Sequence, residues 1–188
     1  MATTPRLGTW QPHTADERLD RIESLAMINQ LAVRYALSLD SRNMDALVDL
    51  FVADVRVGKT ETGRAALHRW YSVAMREPKT SVHLVANHIV DFDDADHAHG
   101  IVYCHDELER PEQGNWETGK LQYWDTYVRE DGEWYFQRRK FHRWYLTDPR
   151  VGPQVGGGVN DGSDPLRAGV LPDSFPTWAP FWAASAAE

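Results

Sequence analysis

Four groupings of side chains in this sequence have types and spacings that could do chemistry. His97 and His99, with Asp93, Asp94 and Asp96, could share one face of a strand and hold a metal ion. No further ligand stands at a fixed spacing from them, so the group reads as a solvated turn. Arg129 and the run Arg138-Arg139-Lys140 could grip an anionic group, but alternating cations on an antiparallel strand usually coat its solvent face, and they read as structural. Cys104 has no basic neighbour beyond His105 and reads as a small buried hydrophobe, not a nucleophile. The glycines after Val155 lack the Lys-Ser/Thr of a phosphate loop and do not join a strand to a helix. Taken singly, His83 on a mixed strand reads as a hydrogen-bonded structural histidine, and Asp40 at a helix end as a cap.

The elements that would position these groups follow from periodicity. From Ala15 to about Leu39 the residues Leu25, Ile28, Leu31, Ala32, Tyr35 and Leu39 recur at three- and four-residue steps, which predicts an amphipathic helix. Asn43 can cap a short second helix through Leu47, Leu50 and Phe51, and Val55 to Val57 reads as a brief strand. A third helical pattern runs from Ala65 to Arg76, closed by Pro78. Beyond it the period changes to that of strands: Val82 to Phe92, Ala98 to Leu108, Leu121 to Arg129 and Glu133 to Tyr145. Asp131-Gly132 marks a hairpin, while Asp93 to Asp96 and Pro111 to Gly114 make the other connections. Helices followed by a run of antiparallel strands predict an α+β layer fold.

Flanking this body, residues 1–14 read as an arm whose Trp10 docks on it, and residues 146–188 as an irregular tail. The tail's Phe175, Trp178, Phe181 and Trp182 are expected to pack on the body or on a neighbouring subunit, since exposure of each would cost about 1.5–3 kcal/mol. At 188 residues one domain is expected. The net charge of −8 repels a phosphate backbone, so nucleic acid is not an expected partner. No apolar run reaches the ~18 residues of a membrane span and the start lacks a signal-peptide core, which predicts a cytoplasmic chain with no membrane partner. One cysteine excludes an intrachain disulfide and agrees with a reducing compartment.

Residues Leu25 to Tyr145 carry a recognisable combination. It comprises Ile28-Asn29-Gln30-Leu31-Ala32-Val33-Arg34-Tyr35-Ala36-Leu37-Ser38-Leu39-Asp40, then Leu50-Phe51 before a strand and Gly63-Arg64 before a helix. His83-Leu84-Val85-Ala86-Asn87 and Tyr127-Val128-Arg129-Glu130-Asp131-Gly132-Glu133-Trp134 complete it. In this the chain resembles the SnoaL-like branch of the nuclear-transport-factor-2-like superfamily. The resemblance implies a cone-shaped α+β barrel, with N-terminal helices against a strongly curved, mainly antiparallel sheet. It also implies that Asp40 and His83 meet inside the cone, where a carboxylate can fix the imidazole tautomer and balance the charge of a protonated ring.

Dehydratases of that family remove a proton beside a leaving group without metal or organic cofactor, so no cofactor is expected. Tyr35 stands five residues before Asp40, a spacing that one of them shares, and its phenol would polarise a carbonyl or protonate a leaving hydroxyl. Asp106 is implied as a second acid-base or ligand-orienting group. Its strand can be read with Val102, Cys104 and Asp106 inward, or with Tyr103 and His105 inward instead. Asn87, of the same strand parity as His83, and Trp70 are expected to line the pocket, with His88 behind the sheet. The function implied is a lyase or isomerase acting on a small hydrophobic ring compound, such as a steroid, terpenoid or polyketide-like molecule. The alternative is a non-catalytic ligand-binding or accessory protein, such as a dioxygenase small subunit. A homodimer or homotrimer is expected because open sheets bury an outer face or edge against a copy, which light scattering would measure.

Overall fold

Thr14 opens the first helix of the computed structural model, which describes Gly8 and residues 10–110, 115–150 and 169–185. The expected turn at Pro111 to Gly114 and the glycine run after Val155 lie outside these residues. Thr14 accepts a hydrogen bond from the Glu17 N–H while the Glu17 carboxylate accepts one from Thr14, a capping box that stabilises the helix by about 1 kcal/mol. Helix α1 then runs over Ala15–Asp40. Ile28, Leu31, Ala32, Tyr35 and Leu39 are buried as the spacing predicts. Leu25 is 40 % exposed, because the buried line there passes through Ser24, about 100° round the helix.

The end of α1 is a Schellman motif. The N–H of Asn43 donates to Ser38 O and that of Arg42 to Leu39 O, with Arg42 at φ 59°. Glycine usually fills that left-handed position, and a side chain there costs about 1 kcal/mol. Asn43 then caps α2, Met44–Val48, through its side chain. This helix stops short of the expected Leu50 and Phe51 because that segment bridges to Phe136: the Phe136 N–H donates to Leu50 O and the Val52 N–H to Phe136 O. A small ribbon, β1 (Arg56–Val57) with β2 (Glu61–Thr62), precedes α3, Arg64–Ala74. The last turn of α3 tightens at Met75 and Arg76, so it ends before the expected Arg76.

Four long strands follow: β3 (Thr80–Phe92), β4 (His97–Arg110), β5 (Asn115–Glu130) and β6 (Glu133–Thr147). They form one antiparallel sheet in the order β3-β4-β5-β6. Among the described residues β6 does not pair with β3, so the sheet stays open. Asp131 and Gly132 both have positive φ, the requirement of a two-residue type I′ hairpin whose twist matches the strands. Register shifts at Val85/His88, Lys120/Leu121 and Thr126/Tyr127 insert extra residues into β3 and β6 and bend the sheet. The α1 stripe packs into its concave face, against Val102, Cys104, Leu121, Tyr123, Tyr127 and Phe136.

Trp10 lies against Phe92, donating its backbone N–H to Phe92 O. In the tail, Val170 and Leu171 donate to the carbonyl of Arg143, and Phe175 packs on Trp124 and Trp144. In the short helix α4 (Trp178–Ser185) Phe181 is 60 % and Trp182 55 % exposed, and their rings meet edge to face. Among the described residues no helix is long and apolar enough to cross a membrane.

Candidate active site

Helix α1 delivers Asp40 at its last residue, directly opposite the start of β3. The Asp40 carboxylate accepts three hydrogen bonds from that strand: 2.6 Å from His83 Nδ1, 2.8 Å from the His83 backbone N–H and 2.9 Å from the Ser81 hydroxyl. Burial works to raise the carboxyl pKa, but the hydrogen bonds and charge of His83 outweigh it and the net shift is downward. Asp40 is therefore an anion that fixes the proton on Nδ1. The His83 ring lies in the wall of a cavity of about 110 Å³, and its Nε2 has no partner among the described residues.

Tyr35 from α1 and Tyr71 from α3 line the same cavity, their hydroxyls 2.8 Å apart. Burial pushes the Tyr35 phenol well up, Tyr123 adds to the shift, and the Arg139 guanidinium works against it. The phenol stays protonated, its hydroxyl sharing a hydrogen bond with that of Tyr71. Trp70 sits half-exposed at the rim. An adjoining cleft of about 540 Å³ shares Tyr35, Trp70, Tyr71, Tyr123 and Phe141 with the inner cavity. The inner cavity alone is small, but the two together reach the ~300–1,000 Å³ usual for small-molecule sites.

Of the two facings of β4, the structure has Val102, Cys104 and Asp106 inward. Asp106 reaches the cavity wall, where both of its oxygens are taken by Arg143, at 3.1 and 2.9 Å. Beside them Arg110 is held between Glu77 and Glu117. Burial pushes the Cys104 thiol up to about 12, with the Asp106 charge adding to it, which leaves no thiolate for nucleophilic work. His97 and His99 each bond a turn carboxylate, Asp94 and Asp93.

Two expectations are overturned. Asn87 was expected inward and His88 outward, but the bulge at Ala86–Asn87 reverses the parity of the strand beyond it. Asn87 is exposed on the outer face beside Tyr103 and His105, whereas the His88 ring turns inward and bonds Tyr127. Arg139 was expected to coat the solvent face, yet its side chain is 3 % exposed. It forms a two-bond pair with Asp125 and lies 4.2–4.3 Å from the Tyr35, Tyr123 and Phe136 ring centres. The β5–β6 bulge at Gln137 is what turns this cation inward, a register feature with no sequence period to announce it.

The inward turn of His88 has a measurable consequence. Burial holds its imidazole down at about 4, against a reference near 6.5. As pH falls through that interval the unfolded chain takes up a proton that the folded chain refuses, so stability present above 6.5 is lost toward 4. Allowing for solvent screening of the partly exposed ring, the loss between pH 7 and pH 5 is roughly 1–2 kcal/mol. Urea unfolding of wild type and His88→Gln at both pH values measures it: the wild type should lose more, and equal losses would remove His88 as the cause.

The sequence profile of the SnoaL-like domain matches residues 20–140. No curated protein matches the chain. Among solved structures, one described as a candidate scytalone dehydratase from Novosphingobium aromaticivorans is 22 % identical, covering 76 % of this chain and 97 % of that one, with a TM-score of 0.63. A type 3 hexachlorocyclohexane dehydrochlorinase from Novosphingobium barchaimii is 25 % identical, with 75 % and 97 % covered and a TM-score of 0.62. A type 2 form of that enzyme is 21 % identical, with 78 % and 99 % covered and a TM-score of 0.64.

Proposed function

The chain belongs to the SnoaL-like domain family of the nuclear-transport-factor-2-like superfamily, and from that premise we propose that it is a cofactor-independent lyase of the dehydratase type, or an isomerase sharing its first step. Its substrate on this reading is a small hydrophobic ring compound bearing a carbonyl. The observation that carries the reading is the 2.6 Å contact of His83 Nδ1 with Asp40 in the wall of an aromatic cavity. The 25 % identical dehydrochlorinase, by its name an elimination enzyme, supports it.

With the Nδ1 proton engaged by Asp40, the Nε2 lone pair takes a proton from the carbon beside the carbonyl, and the Asp40 charge stabilises the imidazolium. Tyr35 donates its O–H hydrogen bond to the carbonyl oxygen, where negative charge develops. The electrons of the C–H bond form the new double bond, the C–O bond breaks, and the hydroxyl leaves as water with the proton His83 carried. Asp106 orients Arg143 on the cavity wall, since both of its oxygens are committed to that guanidinium. In an isomerase the same proton returns to another carbon of the ring.

A panel of hydroxylated ring ketones, followed by mass spectrometry, tests the assignment. Loss of water is the expected result, slowed about a hundredfold in kcat by Tyr35→Phe as one oxyanion donor is removed. Ligand binding with no product from any member would favour the accessory-protein alternative.

A further inference from the structure

We infer that Arg42 and Ser81 are positioning residues for the Asp40–His83 pair, forming a relay that fastens the carboxylate-bearing helix end to the histidine-bearing strand. This rests on the proposed proton transfer at His83. The relay is read from consecutive distances. Arg42 Nη1 donates to Ser81 Oγ at 2.7 Å, Ser81 Oγ donates to Asp40 Oδ1 at 2.9 Å, and His83 Nδ1 meets that same oxygen at 2.6 Å. A single hydroxyl thus accepts from the guanidinium and donates to the carboxylate, so its proton has one direction available.

The position of Arg42 is the second, independent observation. Its backbone occupies the left-handed site of a helix-ending motif, where glycine is usual and a side chain is strained. The strain is retained together with a side chain that ties three segments. Beyond Ser81, Arg42 Nη1 donates to Leu39 O at 2.7 Å, in the last turn of α1, and Nη2 donates to Pro78 O at 2.9 Å, just before β3. A glycine would relax the backbone and lose all three tethers. Relief of the backbone and loss of the tethers therefore offset each other in stability, whereas only the loss of the tethers reaches the site geometry.

What the relay does is limit the rotation of the Asp40 carboxylate. Both of its oxygens are fixed: Oδ2 by the His83 backbone N–H, and Oδ1 by Ser81 as well as by the imidazole. The ring is held with its proton on Nδ1 only while Oδ1 stays in the plane of the imidazole. Removal of the relay frees the carboxylate to turn and lets the imidazole sample its other tautomer, in which Nε2 carries the proton and is no base.

The test compares Arg42→Gly, Ser81→Ala and the double variant with wild type. Three readouts are taken: thermal unfolding, the 15N resonances of the His83 ring, and turnover of the substrate found with the ketone panel. Arg42→Gly trades about 1 kcal/mol of relieved backbone strain against three lost hydrogen bonds, so it is expected to unfold no higher than wild type while kcat falls roughly tenfold with KM unchanged, the size of effect that follows from a misplaced reacting group. Ser81→Ala should lose a similar factor, and the double variant little more than either, because the two act as one unit. In all three the 15N shifts should move from a pure Nδ1–H ring toward a tautomer mixture. Ser81→Thr, which keeps the hydroxyl, should restore both. Unchanged 15N shifts in the variants would overturn the relay, whatever the turnover. Shifted resonances in a protein that turns over no member of the panel would leave the relay standing and defeat the proposed reaction instead.

Discussion

Asp40→Asn is expected to abolish turnover as completely as His83→Ala, although it only replaces one oxygen by an NH2 group and leaves the histidine in place. The reason lies in which groups face the carboxylate. All three of its hydrogen-bond partners are donors: the His83 ring, the His83 backbone N–H and the Ser81 hydroxyl. An asparagine must turn its own NH2 toward one of them. If it faces the imidazole, Nδ1 becomes the acceptor and the ring proton moves to Nε2, the nitrogen on which the proposed reaction depends. Loss of the correct tautomer, with the geometry otherwise kept, is worth up to about 10⁴ in kcat in a Ser-His-Asp triad. Loss of the base itself in His83→Ala costs about 10²–10⁴.

Both variants should still bind an unreactive analogue, because the aromatic walls contributed by Tyr35, Trp70, Tyr123 and Phe141 are untouched. Initial rates with the ketone panel, together with calorimetric binding of the analogue, check this. Full activity in Asp40→Asn would sink the tautomer argument. Activity retained in His83→Ala would remove His83 as the base.

Gly119→Ala is expected to be strongly destabilising. Gly119 lies on β5 between Asp106 on β4 and Leu146 on β6, in ordinary strand conformation, so its backbone does not require glycine. Space does. A Cβ there would stand 2.2 Å from both Arg143 Nη1 and Asp106 Oδ1, and no van der Waals contact is that short. The two side chains meet across the hydrogen atom of this glycine, and a methyl group must push them apart.

Both partners of the pair are buried, at 5 % and 2 % exposure, so neither charge has water to retreat to. Separation of a buried pair costs about 3–5 kcal/mol, which for a domain of this size lowers the unfolding temperature by roughly 6–20 °C. The same substitution in an Asp106→Leu/Arg143→Met background should cost far less, because no pair remains to be broken. Thermal scans of the four proteins measure the difference. Equal penalties in both backgrounds would show that the strand, not the ion pair, is what glycine serves. Since the pair also forms part of the cavity wall, the single variant should bind the substrate analogue more weakly.

Local chemistry made much of this molecule legible in its sequence. The apolar stripe from Ile28 to Leu39, the Asn43 cap and the Asp131-Gly132 hairpin each depend on residues within one or two turns of one another, and each is in place. The meeting of Asp40 with His83 was legible by another route. Forty-three residues separate them, and only the resemblance to a family could connect a helix end with the start of a distant strand.

Residues whose surroundings are chosen by strand register were not legible. Asn87 and His88 exchanged faces because one bulge shifts every later residue of β3 to the opposite side, and a period of two does not record where an insertion falls. Arg139 looked like one of three exposed cations until a second bulge turned it inward onto Asp125. Tyr71, Arg42, Ser81 and Arg143 carried no motif, since each acquires its place only from a partner on another element. The signal for Arg42 was available in principle, as an arginine two residues past a helix end where glycine is expected. Sequence alone therefore determined the order and type of the elements, because hydrophobic periodicity and capping act over a few residues. Tertiary structure alone decided which polar groups face the cavity, because a buried charge is stable only against the partner that register and bulges bring to it.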